Sequence, residues 1–136
     1  MLDTNVLLSA LGWNGPERKV YELCLQGELL LYISRAMLEE LLRVLDYPKF
    51  GFPRLHKIWF VEDLLRIAEV VEAPALPPIV KDDPADDHVL ACAAAAAADY
   101  LITGDKHLLR LNTYGSTVIC SASAFLERYK QWEAPS

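Results

Sequence analysis

DDHVLACAAAAAADYLITGD, residues 86–105, is the stretch on which the fold is decided. Asp86 or Asp87 starts a helix that an alanine-rich run carries to Ala98, alanine being the strongest helix former. Tyr100 to Thr103 is then a short apolar strand, and Gly104 lets the backbone turn sharply before Asp105. A helix delivering a strand that ends on an acid is one unit of an alternating α/β chain. The same unit recurs on both sides of it.

Upstream, Leu55 to Val71 has helical periodicity, with Val70 and Val71 opening a strand before a loop at Pro74 to Pro78. Leu29 to Ile33 is a strand, Ser34 caps a helix reaching about Leu45, and Pro48 stops it. Glu17 to Gln26 is a helix with Gly27 at its C-terminal cap. Leu2 to Leu8 is expected as a buried strand running into a loop at Trp13 to Pro16. Downstream, Lys106 to Arg110 makes one helical turn and Thr117 to Cys120 a strand, and Ser121 caps the last helix. This alternation predicts an α/β fold with a central, mostly parallel sheet covered by helices on both faces.

At 136 residues the chain is expected to form a single domain spanning 1–136. A hydrophobic fraction of 53% with 24% charged residues is that of a globular protein. The longest apolar run, Val89 to Ala98, is too short to cross a bilayer, and no secretory signal opens the chain, so a cytoplasmic protein is expected. Cys24, Cys92 and Cys120 are widely spaced in apolar surroundings, which argues for buried thiols and against a disulfide framework or zinc. A net charge of −6 opposes binding of nucleic acid through a general positive field. It leaves room for an enzyme whose acidic pocket is neutralised by divalent cations.

The acids fall where that idea needs them. In a mostly parallel sheet, sites form beyond the C-terminal ends of the strands. Asp3, Glu39 and Glu40, Asp82, Asp83, Asp86, Asp87 and Asp105 all map to one such rim. On its helix Glu40 leans toward the core edge, whereas Glu39 shares a solvated face with Ala36, Arg43 and Asp46. Four acids between Asp82 and Asp87 exceed what helix capping requires and repel one another unless a cation intervenes. Hard oxygen donors without paired His or Cys suit Mg²⁺ or Mn²⁺. His56, His88 and His107 show no ligand spacing.

Four blocks, Asp-Thr-Asn-Val-Leu (3–7), Glu-Glu-Leu-Leu-Arg-Val-Leu (39–45), Asp-Pro-Ala-Asp-Asp (83–87) and Leu-Ile-Thr-Gly-Asp-Lys (101–106), resemble the PIN-domain nucleases in order and spacing. With Tyr47-Pro48-Lys49-Phe50, the chain looks most like the VapC-type toxins of toxin–antitoxin pairs. The resemblance implies a three-layer α/β/α sandwich and an endoribonuclease dependent on Mg²⁺ or Mn²⁺. It also implies a homodimer inhibited by a cognate antitoxin protein. It places the family's catalytic, metal-holding acids on Asp3, Glu40, Asp86 and Asp105. Counting from the alanine-rich helix instead selects Asp87 for the third. Asn5 and Thr103 match positions that orient the ligands.

One departure is that only Met1 and Leu2 precede Asp3, where the family has several strand residues. Either the first strand is clipped or the true start lies upstream. Arg43, Lys49, Arg54, Lys57, Lys106 and Arg110 are candidate RNA contacts, though a solvated surface cation is the commoner explanation for each. The rival reading is a PIN-like module that binds protein or RNA without cutting. An aspartyl-phosphate phosphatase is disfavoured, because Asn5 stands where its Asp-x-Asp pattern needs an acid.

Overall fold

A computed structural model describes residues 1–72 and 84–133, with the backbone alone for 84–87 and 133. Asp82 and Asp83, together with the Pro74 to Pro78 loop, lie outside the described residues. Along the chain run α1 (Thr4–Gly12), α2 (Pro16–Leu25), β1 (Leu31–Ser34), α3 (Arg35–Leu45), α4 (Arg54–Ile67) and β2 (Ala68–Val71). They are followed by α5 (Pro84–Ala96), β3 (Tyr100–Ile102), α6 (Lys106–Leu109), β4 (Thr113–Tyr114), β5 (Thr117–Cys120) and α7 (Ala122–Glu133).

The expected strand from Leu2 to Leu8 is instead a helix from Thr4 onward. Asp3 is its N-cap, with Oδ1 accepting from the Val6 amide at 2.9 Å. A cap of this kind commits the following residues to helix. Val6, Leu7, Leu8 and Ala10 are all buried, so the helix lacks the polar face by which periodicity distinguishes helix from strand. Of the expected strand only a stub remains, with Leu2 bridging Ile102 in parallel. Three backbone bonds hold the stub: the Met1 ammonium to Tyr100 O at 2.8 Å, Ile102 N to Met1 O at 2.8 Å, and Asp3 N to Ile102 O at 3.2 Å.

The other elements follow local rules. Pro16 sits in the first turn of α2, and Gly27, at φ +82°, reverses the chain beyond it. Ser34 ends β1 and caps α3 at once, its hydroxyl accepting from Met37 N at 3.1 Å. α4 runs straight into β2, whose strand begins two residues before Val70. The helix expected to reach Ala98 ends at Ala96. Ala97 takes φ +50°, so that its amide bonds Ala94 O at 3.2 Å and that of Ala98 bonds Ala93 O at 3.0 Å. The two-residue β4, too short to register as periodicity, forms a hairpin with β5 around Gly115.

Among the described residues the strands form two sheets, β1–β2 and β3–β5–β4. β1 with β2 and β3 with β5 are parallel; β4 with β5 is antiparallel. One hydrophobic cluster draws on both sheets and on every helix with more than one turn, with Leu7, Leu41, Leu64, Leu90 and Leu101 fully buried. α5 packs on β1, β2 and α3, and buried Ala91 and Ala93 keep it close. Cys24, Cys92 and Cys120 are buried and unbonded to one another. No helix among the described residues is long and apolar enough to cross a membrane.

Candidate metal centre

Asp3 is the buried member of the acid set, 5% exposed where the stub of strand turns into α1. Its Oδ2 accepts a short hydrogen bond from the hydroxyl of Thr103, 100 residues further along the chain. The Thr103 oxygen in turn accepts from the Asp105 amide at 3.0 Å. One hydroxyl therefore ties the first acid to the last. Thr103 is itself held from behind, its N–H donating to Cys120 O on β5 at 3.0 Å. Asp105 caps α6, Oδ1 accepting from His107 N at 2.8 Å.

Burial is the largest influence on Asp3 and raises its pKa above the ordinary value of 3.8, since an ion loses water there. Hydrogen bonds from Thr103 and Val6 pull the other way. The nearby charges of Asp105 and Glu40 push it up further. Two acids from other parts of the sequence thus bear on the Asp3 carboxylate. Glu40, half-buried on α3, leans inward as expected, and Glu39 is exposed. α3 packs against both α1 and α5.

Asp86 and Asp87 lie in the first turn of α5, just before His88, which lines a shallow pocket together with Ser34; their side chains are outside the described residues. Among the described residues no three His, Cys, Asp or Glu side chains converge closely enough to enclose a metal ion. The donor chemistry is nevertheless that of a hard divalent cation. Helix capping accounts for one oxygen each of Asp3 and Asp105. It does not account for burying Asp3 beside two like charges, and among the described residues no Lys or Arg pairs with it.

Thr103, expected to orient the ligands, bonds both Asp3 and the Asp105 amide. Asn5, expected in the same role, is exposed in the first turn of α1. Of the cations expected to meet RNA, Lys106 follows Asp105 and Arg43 lies one turn beyond Glu40 on α3; both are exposed, as is Arg110 at the end of α6. Lys57 pairs with Asp46 at 2.8 Å, Lys49 sits 5.1 Å over the Phe50 ring, and Arg54 opens α4. The Asp3–Thr103 contact had no local signal in the sequence beyond the hydroxyl's place on a turn.

The family model described as PIN domain matches residues 1–107, which include Asp3, Glu40, Asp86, Asp87, Thr103 and Asp105. Comparison with curated proteins and with solved structures gives no match. PIN domains are usually nucleases and typically use divalent metal ions. With four-fifths of its length matched by that model and its acids gathered from both ends of the match, this chain belongs to the PIN-domain family.

Proposed function

We propose that the protein is an endoribonuclease dependent on Mg²⁺ or Mn²⁺, built as one domain over 1–136 and acting in the cytoplasm as the toxin of a toxin–antitoxin pair. The observation that carries this reading is the buried Asp3 carboxylate, bridged by Thr103 to Asp105 and set beside Glu40. Asp3, Glu40, Asp105 and either Asp86 or Asp87 hold the ion. When bound, it supplies a Lewis acid that activates water and offsets charge on the phosphodiester. Asp3 and Asp105 are kept in place by their helix caps, and the Thr103 hydroxyl fixes their separation. Lys106 and Arg43 grip the RNA backbone beside the acids. Attack by an external water leaves a 5′-phosphate and a 3′-hydroxyl.

Leu42, Leu55, Ile58, Trp59 and Leu65, all on α3 and α4, are exposed. Apolar side chains left exposed on these helices support a protein partner, here a second copy or an antitoxin. The decisive assay is cleavage of structured and single-stranded RNA with Mn²⁺, comparing wild type with Asp105→Asn. Loss of cleavage in the variant is expected, and equal activity in both overturns the assignment. The second reading is a PIN-like module that binds protein or RNA without cutting. Calorimetric titration with Mn²⁺ separates the two, since such a module has no need to take up the ion.

A further inference from the structure

Two helices that carry acids of the metal centre lead to one aromatic cluster. α1 runs from the Asp3 cap to Gly12, nine residues or about 13 Å, and Trp13 follows it. α3 carries Glu40, packs against α1 and ends at Leu45, and the stretch Tyr47 to Arg54 follows it. The rings of Trp13 and Phe52 then meet almost at right angles, with centroids 6.5 Å apart. We infer that Trp13, braced by this cluster, stacks an unpaired base of a single RNA strand whose phosphodiester lies at the acids.

The brace is a built structure. Phe50 and Phe52 stack with centroids 5.4 Å apart and 3° between their planes. Gly51 between them takes φ +59°, a conformation that favours glycine. Gly12 is needed on the other side, since a Cβ there would stand 3.0 Å from the Phe52 ring. Both phenylalanines pack against the core, whereas Trp13 is 58% exposed. A ring braced in this way offers a stacking partner its surface without first having to be ordered.

The surrounding charges select a polyanion. The chain has a net charge of −6, yet from Tyr47 to Val61 it carries Lys49, Arg54 and Lys57 and no acid. The exposed Lys49 holds its Nζ 5.1 Å from the Phe50 centroid. On the α1 side, Arg18 donates from Nε to Ala10 O and from Nη2 to Leu11 O, both at 2.9 Å, which fixes a guanidinium where Trp13 follows the helix. Of the acids bordering the region, Asp46 is paired with Lys57 at 2.8 Å and Glu17 adjoins Arg18 in sequence. Aromatic residues interleaved with cations hold single strands by stacking the bases and drawing in the phosphates. A base inside a duplex has both faces covered by its neighbours and offers none to Trp13. At a stacked rise of about 3.4 Å per nucleotide, the length of α1 corresponds to about four nucleotides between the scissile phosphate and the stacked base.

The inference rests on the proposed ribonuclease for its polymer, and binding tests it apart from cleavage. An unstructured RNA of about 12 nucleotides, and the same sequence in a duplex, are titrated in EDTA against Asp105→Asn alone and combined with Trp13→Ala, Trp13→Phe or Lys49→Gln, with fluorescence anisotropy as the readout. The single strand is expected to bind more tightly than the duplex. Trp13→Ala weakens the single strand about 5- to 30-fold and leaves the duplex unchanged, and Trp13→Phe keeps most of the affinity. Lys49→Gln lowers the slope of log K against log salt by about 0.7, and reads the same contact if Trp13→Ala fails to fold. Equal single-strand affinity with and without Trp13, an unchanged salt slope, or preference for the duplex overturns the proposal. So does a change in oligomeric state on sedimentation as the sole effect of Trp13→Ala, which marks a protein contact instead. Cleavage with Mn²⁺ is scored separately in wild type: cutting without a Trp13 effect on binding removes the stacking site alone, and stacking without cutting removes the nuclease alone.

Discussion

Replacing Asp3 by asparagine is expected to make the protein more stable without divalent metal and less stable with it. Asparagine keeps the shape and the Oδ1 acceptor that caps α1, and Asn and Asp cap helices about equally well. Its amide donates to Thr103, whose oxygen has a second lone pair beside the one taken by Asp105 N. What disappears is an ion that is buried and repelled by Asp105 and Glu40. The two hydrogen bonds to the carboxylate are worth about 1.5–3 kcal/mol each, against several kcal/mol for desolvating a charge. The raised pKa of Asp3 shows which side is larger. A net gain of about 1 kcal/mol, or roughly 3–5 °C in Tm, is expected for Asp3→Asn in EDTA at pH 7.

The pH dependence has a definite sign. Because the folded-state pKa lies above 3.8, the folded protein binds the Asp3 proton more tightly than the unfolded chain does. Wild-type stability from this group is highest below 3.8 and declines as pH rises through the interval up to the folded pKa. The advantage of Asp3→Asn therefore shrinks on acidification and is gone below about 3.8. Mn²⁺ at one hundred times its Kd stabilises wild type by about 2.7 kcal/mol. The variant, lacking a ligand, gains far less, so the order of stability inverts. Thermal melts of both proteins at pH 4, 5.5 and 7, with EDTA or Mn²⁺, measure the crossing. A variant less stable than wild type in EDTA at pH 7, or an equal gain from Mn²⁺ in both, refutes the reasoning.

Two further substitutions test the scaffold. The Tyr21 hydroxyl is buried with no hydrogen-bond partner among the described residues, its ring lying 5.1 Å from that of Phe60. An unmet polar group of this kind costs about 1–3 kcal/mol, so Tyr21→Phe is expected to raise stability in urea unfolding by about 1 kcal/mol; a loss means that the hydroxyl is satisfied. Ala97, exposed at φ +50°, holds a conformation that costs an L-residue about 1–2 kcal/mol. Ala97→Gly is expected to gain about 0.5–1 kcal/mol after the greater freedom of glycine in the unfolded chain is deducted. No change in the denaturant midpoint shows that the turn is unstrained.

Where a structural decision rests on neighbours a few residues apart, the sequence carried it. Ser34 capping α3, the alanine-rich α5 delivering β3, Gly27 beyond α2 and the inward lean of Glu40 are all local consequences of caps, propensity and a 3.6-residue period. The ordered acid blocks also sufficed to indicate the family. Residues 4–12 were misread because a helix buried around most of its circumference presents the same unbroken apolar run as a buried strand. Only the tertiary fold decided that Asp3 meets Thr103 across 100 residues, that Asp105 and Glu40 bear on the same carboxylate, and that the strands divide into two sheets. Periodicity and capping report on one turn or one strand at a time. Burial of a charge and the closing of a sheet depend on which distant segments the chain's path brings together.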